Sequence, residues 1–197
     1  MIRKLFHRVF RRGSVLSPGN SVKNAALIPL ARHGIHRESV SPGARRTCEV
    51  LQKEGFTAYV VGGAVRDLIA GIVPKDYDIA TSATPEEVRS LFRRARIIGR
   101  RFQIVHVMQG GETLEVSTFR AAHDAETAKD EHGRVLRDNV FGTMAEDAAR
   151  RDFTVNALYY DPTTQVVHDY HHGVADIKQK TLRMIGEPTV RYREDPV

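Results

Sequence analysis

One cysteine, Cys48, stands alone in 197 residues. A single thiol excludes an intramolecular disulfide framework and any cysteine-based zinc site, and it points to a reducing compartment, the cytoplasm. No apolar run approaches the roughly 20 residues that a membrane span requires. The first residues lack the continuous apolar centre and small-residue cleavage site of a secretory signal. A Gly-x-x-x-x-Gly-Lys-Ser/Thr motif is also lacking, which excludes a P-loop ATPase. Excess charge is scarce outside one short stretch. The formal net charge is +6, but residues 1–12 carry Arg3, Lys4, Arg8, Arg11 and Arg12 with no acid, leaving 25 basic and 24 acidic side chains in the other 185. The basic balance therefore describes a tail, and overall charge is weak support for nucleic-acid binding by the folded part.

What is present suits one domain with appendages: 41% hydrophobic and 27% charged residues in a chain long enough to bury a proper core. Residues 1–12 place Ile2, Leu5, Phe6, Val9 and Phe10 on one helical face and the bases on the other. This short basic amphipathic helix would contact RNA or a membrane surface, or remain an unstructured leader, since isolated helices of this length are marginal in water. Residues 13–40, rich in Ser, Pro, Gly, Asn and His, read as an irregular connector, so 1–40 forms an extension and 41–186 the folded domain.

Ser41-Pro42 is an N-cap with proline at the first helical position, and the helix it opens ends before Gly55. Residues 56–61 read as a buried strand. It delivers the centre of the chain, Gly62-Gly63-Ala64-Val65-Arg66-Asp67, a glycine turn into a short helix over 64–70, followed by Lys75-Asp76-Tyr77-Asp78-Ile79 on a second strand. Because strand side chains alternate faces, Asp76 and Asp78 point the same way, about 6.6 Å apart at ~3.3 Å per residue. Two carboxylates so held can share divalent metal ions. The glycine pair lets backbone N–H groups approach a phosphate at a helix start. Together they predict a metal-dependent site for a nucleoside triphosphate.

Thr84-Pro85-Glu86-Glu87 is a capping box that opens a helix to about residue 94. Strands follow over 96–98, 102–108 and 113–119. In the last, Leu114, Val116 and Thr118 face one way and Glu115 the other, where it is either a solvated acid or a third carboxylate for the site. Residues 120–138, charged and aperiodic, read as a mobile surface loop. Thr143-Met144-Ala145-Glu146 opens an alanine-rich helix expected to run into Arg150-Arg151-Asp152-Phe153-Thr154-Val155-Asn156-Ala157-Leu158. The Arg-Arg-Asp cluster offers guanidiniums for a triphosphate and another acid, or a salt-bridged helix end. Residues 163–186 read as a hairpin and short helix, with strands at 166–167 and 181–185. His168, His171 and His172 lack the spacing of a metal site and read as surface residues.

Taken in order, Gly62-Gly63-x-x-Arg66-Asp67, Asp76-x-Asp78, Glu115-Val116-Ser117-Thr118-Phe119-Arg120 and Arg150-Arg151-Asp152 with its apolar continuation resemble the head domain of the class II nucleotidyltransferases. That group contains the bacterial poly(A) polymerases and the CCA-adding tRNA nucleotidyltransferases. The segment Ile98-Gly99-Arg100-Arg101-Phe102-Gln103-Ile104-Val105-His106-Val107 resembles the poly(A) polymerase branch. The resemblance implies an α+β fold, a polymerase β-like head with a small mixed β-sheet flanked by helices. It implies template-independent transfer from ATP to RNA 3′ ends in the cytoplasm, with Mg²⁺, two ions, on Asp76 and Asp78. For the additional catalytic carboxylate it offers Glu115 and Asp152. It also implies nucleotide binding by Gly62, Gly63, Arg66, Arg151 and Asp195. Residues 187–197 would begin a helical neck whose Glu-Asp-x-x-Arg motif stops at Val197, so the chain reads as a head fragment. Alternatives are a CCA-adding enzyme and a catalytically silent RNA-binding fragment.

Overall fold

The structure is a computed structural model that describes residues 24–100, 102–121 and 140–187. The basic segment 1–12, nearly all of the 120–138 loop and Asp195 lie outside the described residues.

Among the described residues, eight strands form one mixed sheet in the order β1-β8-β7-β2-β3-β6-β5-β4. They are β1 (Ala26–Pro29), β2 (Ala58–Val61), β3 (Asp78–Thr81), β4 (Ala95–Ile98), β5 (Ile104–Gln109), β6 (Glu112–Thr118), β7 (Leu158–Asp161) and β8 (Val166–Asp169). Every adjacent pair is antiparallel except β3 with β6. The helices of the described residues are α1 (Leu30–His33), α2 (Pro42–Lys53), α3 (Gly63–Ile69), α4 (Pro85–Leu91), α5 (Met144–Ala149) and α6 (Gly173–Lys178). This is the α+β architecture of a mixed sheet flanked by helices that the sequence led us to expect.

Strand alternation splits the interior in two. One face carries Val60, Ile79, Val105, Val107, Leu114 and Val116, packed with Ala44, Cys48 and Leu51 of α2, Val65 of α3 and Val88 of α4. The other carries Val61, Ala80, Phe119 and Tyr159, covered by Ala148 and Met144 of α5. α2 forms where its caps predict: the Ser41 hydroxyl accepts from the Ala44 N–H, Pro42 takes the first position, and Gly55 adopts φ +88° beyond the end. Cys48 is a core residue of this helix, and burial pushes its thiol far above the usual range, so it is inert. The capping box at Thr84 is present, with the Glu87 carboxylate accepting from the Thr84 N–H at 2.7 Å.

Four sequence expectations need correction. The described part of the supposed connector is built into the sheet, since β1 pairs with β8 along its whole length and Ile28, Ile35 and Val40 are buried. The helix from Pro85 stops at Leu91, because Phe92 turns extended and sends its ring into the core. The helix from Thr143 ends at Ala149 instead of running on. Thr154–Asn156 makes one 3-10 turn and Leu158 enters β7, a central strand that pairs Tyr159 with Val61. Residues 181–185 form no strand; Met184 makes a single bridge to Phe153.

Candidate functional site

β2 ends at Val61 and the chain reverses through Gly62, at φ +70° and ψ −136°, a region open to glycine and closed to residues with a Cβ. α3 starts at the next residue. A Cβ at Gly62 would sit 3.6 Å from Arg151 Nη1 and 3.8 Å from Asp78 Oδ2, so the turn lies between a guanidinium and a carboxylate.

Asp78 is the first residue of β3, and Asp76 precedes the strand rather than lying in it. Exposure still alternates: Asp76 and Asp78 are open to solvent, while Tyr77 and Ile79 are buried. Tyr77 is fixed by a hydrogen bond from its hydroxyl to the Ser39 carbonyl at 3.1 Å. The two acids therefore share a face because the intervening ring is anchored in the protein.

Register carries a third acid to them. Asp78 pairs with Glu115 in the one parallel ladder, and Glu115 pairs in turn with His106, whose Nε2 lies 3.4 Å from Oε1. Residues in register project to the same face. Partial burial raises the pKa of Asp78, Glu115 and Asp76 raise it further, and Arg151 opposes them. Glu115 is thus the acid beside Asp78. No strand register joins Asp152 to Asp78: it is exposed, and its Oδ1 accepts from its own neighbour's N–H at Phe153. Among the described residues no three His, Cys, Asp or Glu side chains converge to hold a metal ion by themselves. His168, expected at the surface, lies within β8 and packs edge-on to Tyr59, half-buried, with its pKa lowered by burial.

Arg66 and Arg151, from distant parts of the chain, meet at Asn156. Arg66 Nη1 donates to Asn156 Oδ1 at 2.9 Å, and Arg151 Nη1 donates to the Asn156 carbonyl at 3.2 Å. Asp67 holds the other side of Arg66, with 2.9 Å from Nε and 2.8 Å from Nη2 to Oδ1. Arg151 is mostly buried. Its Nε and Nη2 donate to Asp147 Oδ2 at 3.3 and 3.2 Å, and its Nε also faces the Tyr159 hydroxyl at 3.0 Å. Tyr159 donates to the same Asp147 oxygen at 2.6 Å. Burial disfavours the charged guanidinium, but Tyr159 and Asp147 outweigh it and raise its pKa. Burial likewise holds the Tyr159 phenol well above its ordinary range. Arg151 is a fixed cation aimed at the glycine turn.

Sequence reasoning passed over Asp147 and Tyr159. The one available signal was the spacing of Asp147 and Arg151 at i and i+4, which is common on helices and weak alone. Asn156 was visible only as part of a motif.

The chain has relatives among known proteins. The chain is 48% identical over 177 residues to poly(A) polymerase I of Escherichia coli O6:H1, covering 87% of this chain and 38% of that protein. It is 42% identical over 147 residues to the CCA-adding enzyme of Lactobacillus helveticus, covering 75% of this chain and 36% of the relative. Among solved structures, the CCA-adding enzyme of Bacillus stearothermophilus in complex with CTP superposes with a TM-score of 0.65 at 35% identity, over 79% of this chain and 37% of that one. The chain spans less than two fifths of the length of these relatives. Residues 58–183 match the model of the poly A polymerase head domain, and with well over half of its length matched the chain belongs to that family.

Proposed function

We propose that this chain is the catalytic head of a nucleotidyltransferase that adds AMP from ATP, without a template, to RNA 3′ ends. The carrying observation is the cluster of Asp76, Asp78 and Glu115 on one face, opposed across Gly62 by the buried cation Arg151. Three acids facing one cation leave uncompensated negative charge, which calls for a bound cation, and their hard oxygen donors suit Mg²⁺. Mg²⁺ typically takes one or two protein carboxylates and fills its shell with water and substrate phosphate, so a site without a closed three-donor cage fits it. Asp76 and Asp78 would hold the metal, two ions in the full reading, which when bound polarises the primer hydroxyl and neutralises the leaving pyrophosphate.

The protein's own contribution is positioning. Gly62 and Gly63 let the triphosphate approach the backbone, and Arg66 and Arg151, locked together at Asn156, face its charge without reorganising. Arg151 also acts to lower the pKa of Asp78, against burial and its acidic neighbours, which together raise it. Glu115 is our choice for the additional carboxylate, by its register with Asp78; Asp152 is the rival. Asp195 is assigned to nucleotide binding from its motif alone. The relatives named as CCA-adding enzymes support the alternative reading, terminal CCA addition to tRNA.

The test is to incubate the full-length protein with Mg²⁺, an unstructured RNA primer and each nucleoside triphosphate in turn, and to read product length. Long ladders with ATP alone support the proposal. Addition that stops after a few residues, needs CTP and prefers tRNA ends replaces it with the CCA-adding reading.

A further inference from the structure

The row of in-register residues through Asp78 and Glu115 continues past the acids. It meets His106 on β5 and Arg96 on the edge strand β4. Arg96 therefore presents to the face that carries Asp78, roughly 14 Å away at about 4.8 Å per strand. A second row runs alongside. Thr113, which lines the same hollow as Asp76, pairs with Met108, and Met108 donates its N–H to the Arg94 carbonyl while Arg94 Nη2 lies 3.4 Å from its sulfur. The row that begins at Asp78 thus ends at Arg96, and the row beside it, from Thr113, ends at Arg94.

Arg94 and Arg96 are exposed, and among the described residues neither makes an ion pair. Apolar surface is interleaved with them: Met108 is 49% and Ile98 37% exposed, and an open hollow of about 560 Å³ is bounded by Phe92, Arg93, Arg94, Met108 and Gln109. Unpaired guanidiniums alternating with apolar platforms are what a single-stranded nucleic acid needs, cations for the phosphates and flat or apolar surface for the bases. The carboxylates repel phosphates, so the arginines at the far end of these rows mark where a strand ending at Asp78 can lay down its backbone.

We propose that the β4 edge, Arg94 and Arg96 with Met108 and Ile98, is the track for the RNA strand immediately upstream of its 3′ end. This rests on the reading that the Asp76–Asp78 face receives that end. Arg89 supplies the contrast. It is exposed on α4, which packs against the opposite face of the sheet through Val88.

The experiment titrates labelled 3′-deoxy oligo(A) RNA into the full-length protein without ATP, by fluorescence anisotropy, between about 50 and 200 mM salt. R94A/R96A is expected to weaken binding about ten-fold and to reduce the slope of log K against log salt by about 1.4, the loss of two phosphate contacts to a single strand. R89A should match wild type, R96K should restore most of the slope, and the KM for ATP should not change in any variant. A wild-type slope in R94A/R96A, or an equal loss in R89A, overturns the track. A raised KM for ATP with unchanged RNA binding overturns it too, assigning these arginines to the triphosphate. RNA binding is read without turnover, so a wild-type protein that fails to extend primers sinks the proposed function while leaving the track separately decided.

Discussion

The two halves of the sheet treat charge in opposite ways. On the β7 side, Asp147 and Tyr159 are buried and hydrogen-bonded to each other, and both hold the half-buried Arg151. On the β3–β6–β5–β4 side, Asp76, Asp78, Glu115, Arg94 and Arg96 are exposed, and the acids crowd one another. Buried partners that hold a guanidinium by its Nε and Nη2 fix its direction and leave its Nη1 edge, beside Gly62, to meet a ligand. An open set of like charges raises its own energy until a ligand of opposite sign arrives. The closed half is a frame that aims Arg151, and the open half is where chemistry and substrate are expected.

The sharpest way to break this contrast is to remove one charge from each half. Asp78→Asn in the full-length protein should lower nucleotide addition by on the order of 10³-fold while leaving the fold intact, read from primer extension beside a circular dichroism melt. Retained turnover would remove Asp78 from the site. Asp147→Ala should act through stability instead, costing about 3–5 kcal/mol because Arg151 is left buried without its partner; a urea midpoint close to wild type would show the closed half to be dispensable. Arg151→Ala should raise the apparent KM for ATP about ten-fold, and an unchanged KM would remove it from the triphosphate site. Tyr159→Phe is milder, about 1–2 kcal/mol for the two hydrogen bonds its hydroxyl makes, to Asp147 and from Arg151, and chemical denaturation would measure it.

The smallest expected effect lies in pH. Because the Asp78 pKa is raised in the folded state, its stability contribution is complete below the ordinary carboxylate range and is lost as pH rises through the raised value. Asp78→Asn should therefore melt above wild type at neutral pH and with it in strong acid. A wild-type melting temperature at both ends would contradict the crowding of the open half.

Legibility in the sequence follows the same division. The open half was readable because its signals are local: glycines next to one another, acids two apart at the start of a strand, capping boxes four residues long. The closed half depends on the fold. Asp147 and Tyr159 meet because α5 stops at Ala149 and the chain doubles back into β7, and alanine-rich periodicity gave no hint of that stop. β1 was missed for a similar reason, since four residues at a sheet edge are specified by β8, some 140 residues later. Glu115 fell between the two cases. Its face could be read from alternation, but only the parallel register says that the acid on the neighbouring strand is Asp78.

The turn at Gly62 has a consequence for heredity. Its backbone is unfavourable for any residue with a Cβ, and that strain is internal to the residue and beyond the reach of neighbouring side chains. A population carrying Gly62→Ala would find no compensating change at Arg151, Asp78 or anywhere else in the chain. Selection for recovered function would return the original codon's meaning, glycine, and a collection of revertants with second-site suppressors would show that the turn tolerates another path.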